Sequence, residues 1–277
     1  MPYIRGDEGA RIYYRVSGPP GAEPVVLIMG LGWDMSGWDP LLPHLEGFRV
    51  LRLDNRGTGR SDKPQRPYSI PQMALDVAFC MNDAGIDSAH VYGASLGSMI
   101  AQELALSLPR RVRSLILGCP SPGVISFPGS LGFLRVLLNR EELTPEESFM
   151  AATPYLYGRA LKERPEAIED VMRRRLASRG DAGGVRHQLQ AVLHWSSLRR
   201  LRHLRVPTLV IHGDRDRLIP LANGRLIATL VPGAHLHVLR GAGHVYATDA
   251  PEEHLATVLA WLELQLELQA KPLEATA

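Results

Sequence analysis

The stretch that decides the fold is HVYGASLGSMIAQELA, at residues 90–105. It begins with a short apolar run typical of a strand, and from Leu96 onward it is a plausible helix. Between the two, residues 93–97 form Gly-x-Ser-x-Gly, a pattern typical of a sharp turn that exposes a serine. The glycines are needed because a side chain at either position would clash with neighbouring backbone. The pattern predicts that Ser95 projects above the carboxyl edge of a sheet; a glycine-rich turn with an incidental serine is the alternative.

Outward from this turn, short apolar runs alternate with helical stretches along the chain. Strands are expected at 3–5, 11–16, 25–29, 50–53, 90–92, 114–117, 208–211 and 235–239, and helices at 71–84, 96–108, 221–230 and 251–269. Strands that alternate with helices pair in parallel through right-handed crossovers. The first two strands are close enough to form an antiparallel hairpin at one edge. The sequence therefore predicts an α/β fold with a mixed, mostly parallel sheet of about eight strands flanked by helices.

The segment at residues 121–205 interrupts this alternation and contains no convincing strand. Residues 144–147, Thr-Pro-Glu-Glu, are typical of a helix start, with Thr as the N-cap and Pro at the first helical position. Apolar residues recur at helical spacing between Ile168 and Leu176. We therefore expect a helical cap at 121–205, inserted into a core formed by 1–120 and 206–277.

Composition and charge argue against several classes of protein. The chain has 277 residues, of which 45% are hydrophobic and 22% are charged, as in ordinary globular proteins. Its formal net charge of +2 gives no reason to expect a nucleic acid or a membrane surface as a partner. Cys80 and Cys119 are too few for a disulfide framework, so a reducing, cytoplasmic location is expected. Residues 1–14 lack the apolar core of a signal peptide and are expected to begin the mature fold.

A serine hydroxyl is a poor nucleophile at neutral pH and needs a general base. Of the ten histidines, His244 is the strongest candidate, because it follows a strand in a glycine loop that precedes the last helix. A carboxylate must then hold the imidazole in its correct tautomer. The strand at 208–211 is followed by two candidates, Asp214 and Asp216. We favour Asp216, and expect the other carboxylate to stabilise the turn.

Acyl transfer also needs hydrogen-bond donors for the developing oxyanion. The backbone N–H of Leu96, directly after the serine, is one candidate. The loop at 29–33, Met-Gly-Leu-Gly-Trp, follows an apolar strand, and its glycines allow the backbone to approach a substrate. We expect the backbone N–H of Leu31 to be the second donor. An ordinary glycine-rich loop between strand and helix is the alternative explanation.

Together these motifs resemble the α/β-hydrolase superfamily over nearly the whole chain. The resemblance is carried, in order, by MGLGWDMSGW at 29–38, LDNRGTGRSDKP at 53–64, HVYGASLGSMIAQELA at 90–105, VPTLVIHGDRDRLIP at 206–220 and GAGH at 241–244. It implies a triad of Ser95, Asp216 and His244 in that chain order, and a helical cap between the sixth and seventh strands. In that fold the acid is the last residue of a Gly-x-x-Asp motif. This motif corresponds to residues 213–216 here, so it runs from Gly213 to the acid Asp216. One departure is Met29 before Gly30, where many members have histidine.

Three further features receive structural explanations. In the resembled fold, residues 54–61 are a turn after the fourth strand, and they lack the Gly-Lys-Ser/Thr ending of a phosphate loop. No HExxH or CxxC spacing is present, so no metal centre or other cofactor is expected. Arginine clusters at 173–175 and 199–205 are offset by nearby acidic residues and are expected on a solvated helix face. A small-molecule substrate is therefore the only partner predicted.

The substrate pocket is expected between the carboxyl edge of the sheet and the cap. Its candidate walls are mostly apolar: Trp33, Phe127, Phe133, Leu137, Trp195 and Val245. We therefore predict a serine hydrolase that cleaves small to medium, mainly apolar carboxylic esters through an acyl-enzyme on Ser95. The alternatives are hydrolysis of a lactone, hydrolysis of a C–C bond of the β-diketone type, cofactor-free perhydrolysis, and a non-catalytic ligand receptor that retains the triad.

Overall fold

The computed structural model describes residues 3–123, 127–138, 142–177 and 182–270. These residues form one sheet of eight strands. The strands are β1 (Tyr3–Arg5), β2 (Arg11–Ser17), β3 (Pro24–Ile28), β4 (Arg49–Leu53), β5 (Ala89–Ala94), β6 (Val112–Gly118), β7 (Thr208–Gly213) and β8 (His235–Leu239). The strands expected from the apolar runs agree with these bounds to within two residues at each end.

Helices connect the strands and cover both faces of the sheet. Among the described residues they are α1 (Ile70–Asp83), α2 (Leu96–Ser107), α3 (Leu131–Leu138), α4 (Pro145–Leu156), α5 (Ala160–Glu163), α6 (Pro165–Ala177), α7 (Ala182–Leu193), α8 (Leu221–Leu230), α9 (Tyr246–Asp249) and α10 (Pro251–Ala270). The four helices expected between strands correspond to α1, α2, α8 and α10. Helix α1 begins at a capping box in which the Ser69 hydroxyl accepts the N–H of Gln72.

The strand order is β1-β2-β4-β3-β5-β6-β7-β8. Strands β1 and β2 form an antiparallel pair at one edge, and β2 is also antiparallel to β4. All other neighbours are parallel, from β4 across to β8. The predicted α/β class, with a mostly parallel sheet and an antiparallel hairpin at its edge, is confirmed. Because the parallel strands run in one direction, their carboxyl ends meet at one edge of the sheet.

Two apolar layers bury the sheet, one on each face. Along β3, Val26 and Ile28 pack in the layer that contains α1 and α2. Val25 and Leu27 point the other way and pack in the layer that contains residues of α10. Side chains alternate between the faces of a strand, and here both faces are covered. This is why the central strands are continuous apolar runs rather than alternating ones.

The described part of the segment between β6 and β7 is helical and contributes α3 to α7. Helix α4 starts as expected: Thr144 accepts the N–H of Glu147 at 3.2 Å, and the Glu147 carboxylate accepts the N–H of Thr144 at 2.8 Å. A small apolar cluster forms within this segment from Phe149, Tyr157, Ala160, Ile168 and Val171. The division of the chain into core and cap at residues 121 and 205 stays a prediction.

The two ends of this segment are fastened together. Gly123 and Ser196 form an antiparallel bridge, and the N–H of Ser197 donates to the carbonyl of Pro122 at 3.0 Å. The chain therefore leaves the sheet after β6 and returns before β7 through adjacent points.

Elsewhere, Cys80 and Cys119 are both buried and free. No helix in the described ranges combines the length and apolar character needed to cross a membrane.

Candidate active site

Ser95 occupies a strained turn between β5 and α2. Its φ of 54° and ψ of −118° lie outside the regions that side chains normally adopt. The flanking glycines are required by close backbone contacts. A Cβ on Gly93 would lie 2.1 Å from the carbonyl oxygen of Gly97, and a Cβ on Gly97 would lie 2.0 Å from that of Ile28. The local sequence thus builds the turn that the Gly-x-Ser-x-Gly pattern predicts.

His244 lies between a hydroxyl and a carboxylate. Its Nε2 is 2.9 Å from Ser95 Oγ, and its Nδ1 is 2.7 Å from Asp216 Oδ2. Because a carboxylate only accepts, Nδ1 carries the proton and Nε2 is left to accept the serine proton. The three side chains follow β5, β7 and β8, so the common edge of the sheet brings them together. This arrangement can transfer a proton from the serine during nucleophilic attack.

Asp216 is a buried, fully hydrogen-bonded carboxylate. Its Oδ1 accepts the N–H groups of Leu218 and Ile219, at 2.9 and 2.8 Å. Burial alone would raise the pKa of this carboxyl group. The attraction of His244 and the hydrogen bonds from His212 and His244 together outweigh burial and hold the pKa of Asp216 well below its ordinary value. The group therefore stays ionised beside the imidazole.

The competing carboxylate and histidine, Asp214 and His212, do not contact Ser95. Asp214 is exposed, and its Oδ1 accepts the N–H of Gly241 at 2.7 Å. It therefore fastens the end of β7 to the turn after β8. His212 is buried, and its Nε2 donates to the carbonyl of Ile219 at 2.8 Å. Both residues stabilise turns beside the site rather than contacting Ser95.

Two backbone N–H groups beside Ser95 are free to bind an oxyanion. In the described part of the chain, neither Leu31 nor Leu96 donates its N–H to a protein acceptor. The loop that contains Leu31 comes close to the serine, since a Cβ on Gly30 would lie 3.2 Å from Ser95 Cβ. Leu96 is the first residue of α2, where N–H groups have no partner within the helix. Both N–H groups are candidates for binding an oxyanion, and that role stays a prediction.

The loop at 29–33 is held by side chains that sequence reasoning missed. The Asn55 side-chain amide donates to the carbonyl of Met29 at 2.8 Å. The N–H of Gly32 donates to Oε1 of Gln188 at 2.8 Å, and the guanidinium of Arg175 donates to the carbonyl of Gly32. Arg175 also lies over the ring of Trp33, 5.1 Å from its centroid. The expectation of a solvated arginine cluster is therefore wrong for Arg175, which turns inward.

A second buried carboxylate, Asp249, holds the loop that carries His244. It accepts the N–H of Gly243 at 2.7 Å. It also accepts the N–H groups of Gly158 at 2.9 Å and Ala160 at 2.7 Å, both in the helical segment between β6 and β7, hereafter the inserted segment. A single carboxylate therefore joins the histidine loop to this segment. The only sequence signal for Asp249 was its position just after His244.

The expected pocket residues are divided between the site and other places. Trp33 and Val245 pack against the apolar cluster of the inserted segment, which includes Phe149 and Tyr157. Phe133 lies edge-on to Tyr155, with ring centroids 6.1 Å apart. The role of Trp33 and Val245 as walls of the pocket stays a prediction.

Of the other three expected residues, the structure describes the side chains of two, Phe127 and Trp195. Phe127 is 52% exposed. Trp195 belongs to the main core, and its Nε1 donates to Glu103 at 2.7 Å. Because Glu103 is two helical turns beyond Ser95 on α2, Trp195 packs well away from the serine. The side chain of Leu137 lies outside the described part of the structure.

Cys119, His212 and Asp216 place one ligand-type atom each within 4.8 Å of one another. Burial raises the pKa of the Cys119 thiol well above its ordinary value, so the sulfur stays protonated. Both oxygens of Asp216 already accept hydrogen bonds. These donors therefore do not suit a metal ion.

The eight-stranded, mostly parallel sheet flanked by helices is that of the α/β-hydrolase fold. A family model for the alpha/beta hydrolase fold matches residues 23–251, and the chain belongs to this family. Among curated proteins, the chain is 29% identical to a poly(3-hydroxyalkanoate) depolymerase from Ectopseudomonas oleovorans, over 89% of this chain and 86% of that protein.

Solved structures of similar proteins match almost the entire chain. The enol-lactonase from Burkholderia xenovorans LB400 superimposes with a TM-score of 0.84 at 27% identity, covering 95% of this chain and 100% of that one. A hydrolase from Pseudomonas aeruginosa PA01 superimposes with a TM-score of 0.83 at 30% identity, covering 94% of this chain and 97% of that one. The protein is therefore a hydrolase of the α/β-hydrolase fold.

Proposed function

We propose that the protein is a serine hydrolase that cleaves small to medium, mainly apolar carboxylic esters through an acyl-enzyme on Ser95. The observation that carries the proposal is the continuous hydrogen-bonded line from Ser95 to His244 to Asp216, with distances of 2.9 and 2.7 Å. No other described histidine links a serine in a strained turn to a buried carboxylate. Asp216 is the acid, and Asp214 supports the turn.

In the first half of the reaction, Ser95 Oγ attacks the carbonyl carbon of the ester and its proton passes to His244 Nε2. The electron pair of the carbonyl moves to its oxygen, which accepts the N–H groups of Leu31 and Leu96. The tetrahedral intermediate then collapses, and the alcohol leaves with the proton from His244. Asp216 stays ionised throughout and stabilises the imidazolium.

In the second half, water replaces the alcohol. His244 Nε2 takes a proton from the water as the oxygen attacks the acyl carbon. The same two N–H groups bind the second oxyanion. Collapse of this intermediate returns the proton to Ser95 Oγ and releases the carboxylic acid. No group other than the substrate and water is consumed.

The apolar surroundings of the serine support an apolar substrate. Trp33 and Val245 pack on the cluster around Phe149 and Tyr157, and we propose that the segment 121–205 acts as a cap that supplies this wall. The curated relative is named as a depolymerase of poly(3-hydroxyalkanoate), a polyester. A lactone is the second candidate substrate, since the chain resembles an enol-lactonase over 95% of its length. Lactone opening needs the same steps, with the leaving alcohol tethered to the acyl group.

Covalent labelling and a substrate panel test the proposal. A fluorophosphonate should label the folded protein once, at Ser95, and p-nitrophenyl esters should give a burst of p-nitrophenol. Ser95→Ala should abolish both signals, whereas Ser107→Ala, at the far end of α2, should retain them. The absence of an adduct in folded wild-type protein would refute the serine hydrolase and favour a non-catalytic receptor.

The panel then separates the chemistries. Alkyl esters of increasing acyl length, a six-membered lactone, a β-diketone and a peroxide assay with acetate are compared by kcat/KM. We expect the apolar esters to give the highest values, with the lactone next. A preference for the β-diketone or for peracid formation would overturn the ester assignment while leaving the triad in place.

A further inference from the structure

We propose that Gln188 is a positioning residue that couples the inserted helical segment to the oxyanion-binding loop. On this proposal, which rests on the proposed function, the loop keeps its catalytic shape only while α7 is docked against it. The inserted segment would then complete the catalytic machinery as well as form a wall of the pocket.

The side chain of Gln188 is fully buried and uses both ends of its amide. It is 0% exposed, its Oε1 accepts the N–H of Gly32 at 2.8 Å, and its Nε2 donates to the carbonyl of Arg56 at 2.9 Å. A flip of the amide would place donor against donor and acceptor against acceptor. Leaving a buried donor without a partner costs about 1–3 kcal/mol. The amide is therefore held in one orientation, where it joins the loop at 29–33 to the turn after β4.

The anchor at Gly32 restrains the donor at Leu31. The N–H of Leu31 belongs to the peptide between Gly30 and Leu31. On one side of it, the carbonyl of Met29 is fixed by Asn55 at 2.8 Å; on the other side, the N–H of Gly32 is fixed by Gln188. The carbonyl of the central peptide also accepts the N–H of Trp33 at 3.3 Å, so hydrogen bonds hold this peptide at its own carbonyl and on both sides. Asn55 belongs to the turn after β4, whereas Gln188 belongs to the inserted segment.

Helix α7 is seated directly on the backbone that it holds. A Cβ on Gly32 would lie 2.8 Å from a methyl group of Val185, and Gly32 has a φ of +67°. One residue earlier on α7, a Cβ on Gly184 would lie 2.0 Å from the carbonyl oxygen of Gly57. A displacement of α7 therefore removes the side-chain acceptor of the Gly32 N–H.

These contacts also explain how the loop at 29–33 is ordered although Met29, rather than a histidine, precedes Gly30. A methionine side chain offers no strong hydrogen bond to organise the loop. The polar contacts come instead from Asn55, Gln188 and Arg175, and the last two lie on helices of the inserted segment. Two of the three polar side chains that hold the loop are therefore outside the sheet core.

Kinetics of three variants test the coupling. Gln188→Leu has a similar volume and lacks both hydrogen bonds, whereas Gln188→Glu retains an oxygen for the Gly32 N–H. Gln190→Leu is the matched control, because Gln190 lies on the same helix and its Oε1 makes no hydrogen bond in the described structure. Each enzyme is titrated for active sites with a fluorophosphonate before kcat and KM are measured on a p-nitrophenyl ester.

We expect Gln188→Leu to lower kcat per titrated site by about 10- to 100-fold, below the loss from deleting an oxyanion donor outright. KM should change by less than about threefold, since the ground state makes little use of the donor. The inhibition constant of a trifluoromethyl ketone, which forms an oxyanion on Ser95, should rise by the same factor as kcat falls. Gln188→Glu should recover part of the loss, and Gln190→Leu should match wild type.

A purely structural role gives a different result. It would lower the thermal midpoint and the titratable fraction of Gln188→Leu but leave kcat per titrated site and ketone inhibition at wild-type values, and this would overturn the inference. If Gln188→Leu does not fold, Gln188→Asn replaces it in the test. Its shorter side chain withdraws the amide from Gly32, so we expect the same changes in kcat per titrated site and in ketone inhibition. A wild-type protein that shows neither burst nor adduct would overturn the proposed function and this inference together.

Discussion

The carboxylate of Asp249 accepts the N–H of Gly243 at 2.7 Å, immediately before His244 in the chain. The same carboxylate accepts two N–H groups of the inserted segment, from Gly158 and Ala160. Three backbone donors thus converge on one buried group that does not touch Ser95. The position of the imidazole therefore depends on a side chain five residues further along the chain.

Asp249→Ala is expected to lower both stability and turnover. Loss of the carboxylate leaves three backbone donors without a partner, which should lower the free energy of unfolding by about 2–5 kcal/mol. The looser histidine loop should lower kcat by about 10-fold, because misplacement of a catalytic group is costly. Urea denaturation and esterase kinetics measure the two effects. An Asp249→Ala protein as stable as wild type would contradict the anchoring role.

Separate replacement of the two candidate acids should distinguish them. Asp216→Asn presents a donor where His244 Nδ1 needs an acceptor, so kcat/KM should fall by about 10⁴-fold. Asp214→Asn still offers an oxygen to the N–H of Gly241 and should retain activity within about threefold. Esterase kinetics at neutral pH settle the matter. A large loss in Asp214→Asn with little loss in Asp216→Asn would reverse the assignment.

The glycines of the serine turn are expected to be intolerant of substitution. In Gly97→Ala the new methyl group would lie 2.0 Å from the carbonyl oxygen of Ile28, which is backbone and cannot easily yield. We expect the free energy of unfolding to fall by about 3 kcal/mol. Gly47→Ala, which meets no atom within 4 Å, is the control and should change it by less than about 0.5 kcal/mol. If Gly97→Ala were as stable in urea as wild type, the turn would be able to relax around the new methyl group, contrary to this prediction.

Stability should fall on acidification partly because of His254. Burial lowers the pKa of His254 to about 4, and its Nε2 lies 2.7 Å from the Tyr92 hydroxyl. The unfolded imidazole has a pKa of about 6.5, so between these values only the unfolded chain takes up the proton. The contribution of His254 to the free energy of unfolding therefore decreases as pH falls through this window and is constant below it.

His254→Gln removes this contribution. Between about pH 7 and about pH 4, we expect wild type to lose about 3 kcal/mol more stability than the variant. Guanidinium denaturation of both proteins at each pH measures the difference. The same loss in both proteins would mean that His254 does not drive the acid sensitivity.

The serine turn and the histidine loop were predictable because both are local. Ser95 and His244 each follow a strand in a glycine-rich turn, and the carboxyl ends of parallel strands meet at one edge. The choice between Asp214 and Asp216 was harder, because both follow the same strand two residues apart. Only the three-dimensional path of that turn shows that one carboxylate faces the imidazole and the other faces Gly241.

The pocket and its supports were less predictable because they depend on contacts far apart in the chain. Gln188 and Gly32 are separated by 156 residues, and nothing local distinguishes a buried glutamine from a solvated one. Trp195 was expected in the pocket on its apolar character alone, but its indole N–H draws it toward the Glu103 carboxylate in the core. Helical periodicity shows which residues share a face, and leaves open what that face touches.

The bridge between Gly123 and Ser196 brings the two ends of the inserted segment to one place beside the sheet. Since both ends are anchored at one place, a segment of different length or lining can be substituted there without altering the register of β6 and β7. The coupling through Gln188 limits this freedom, because a replacement must also bring its own acceptor to Gly32.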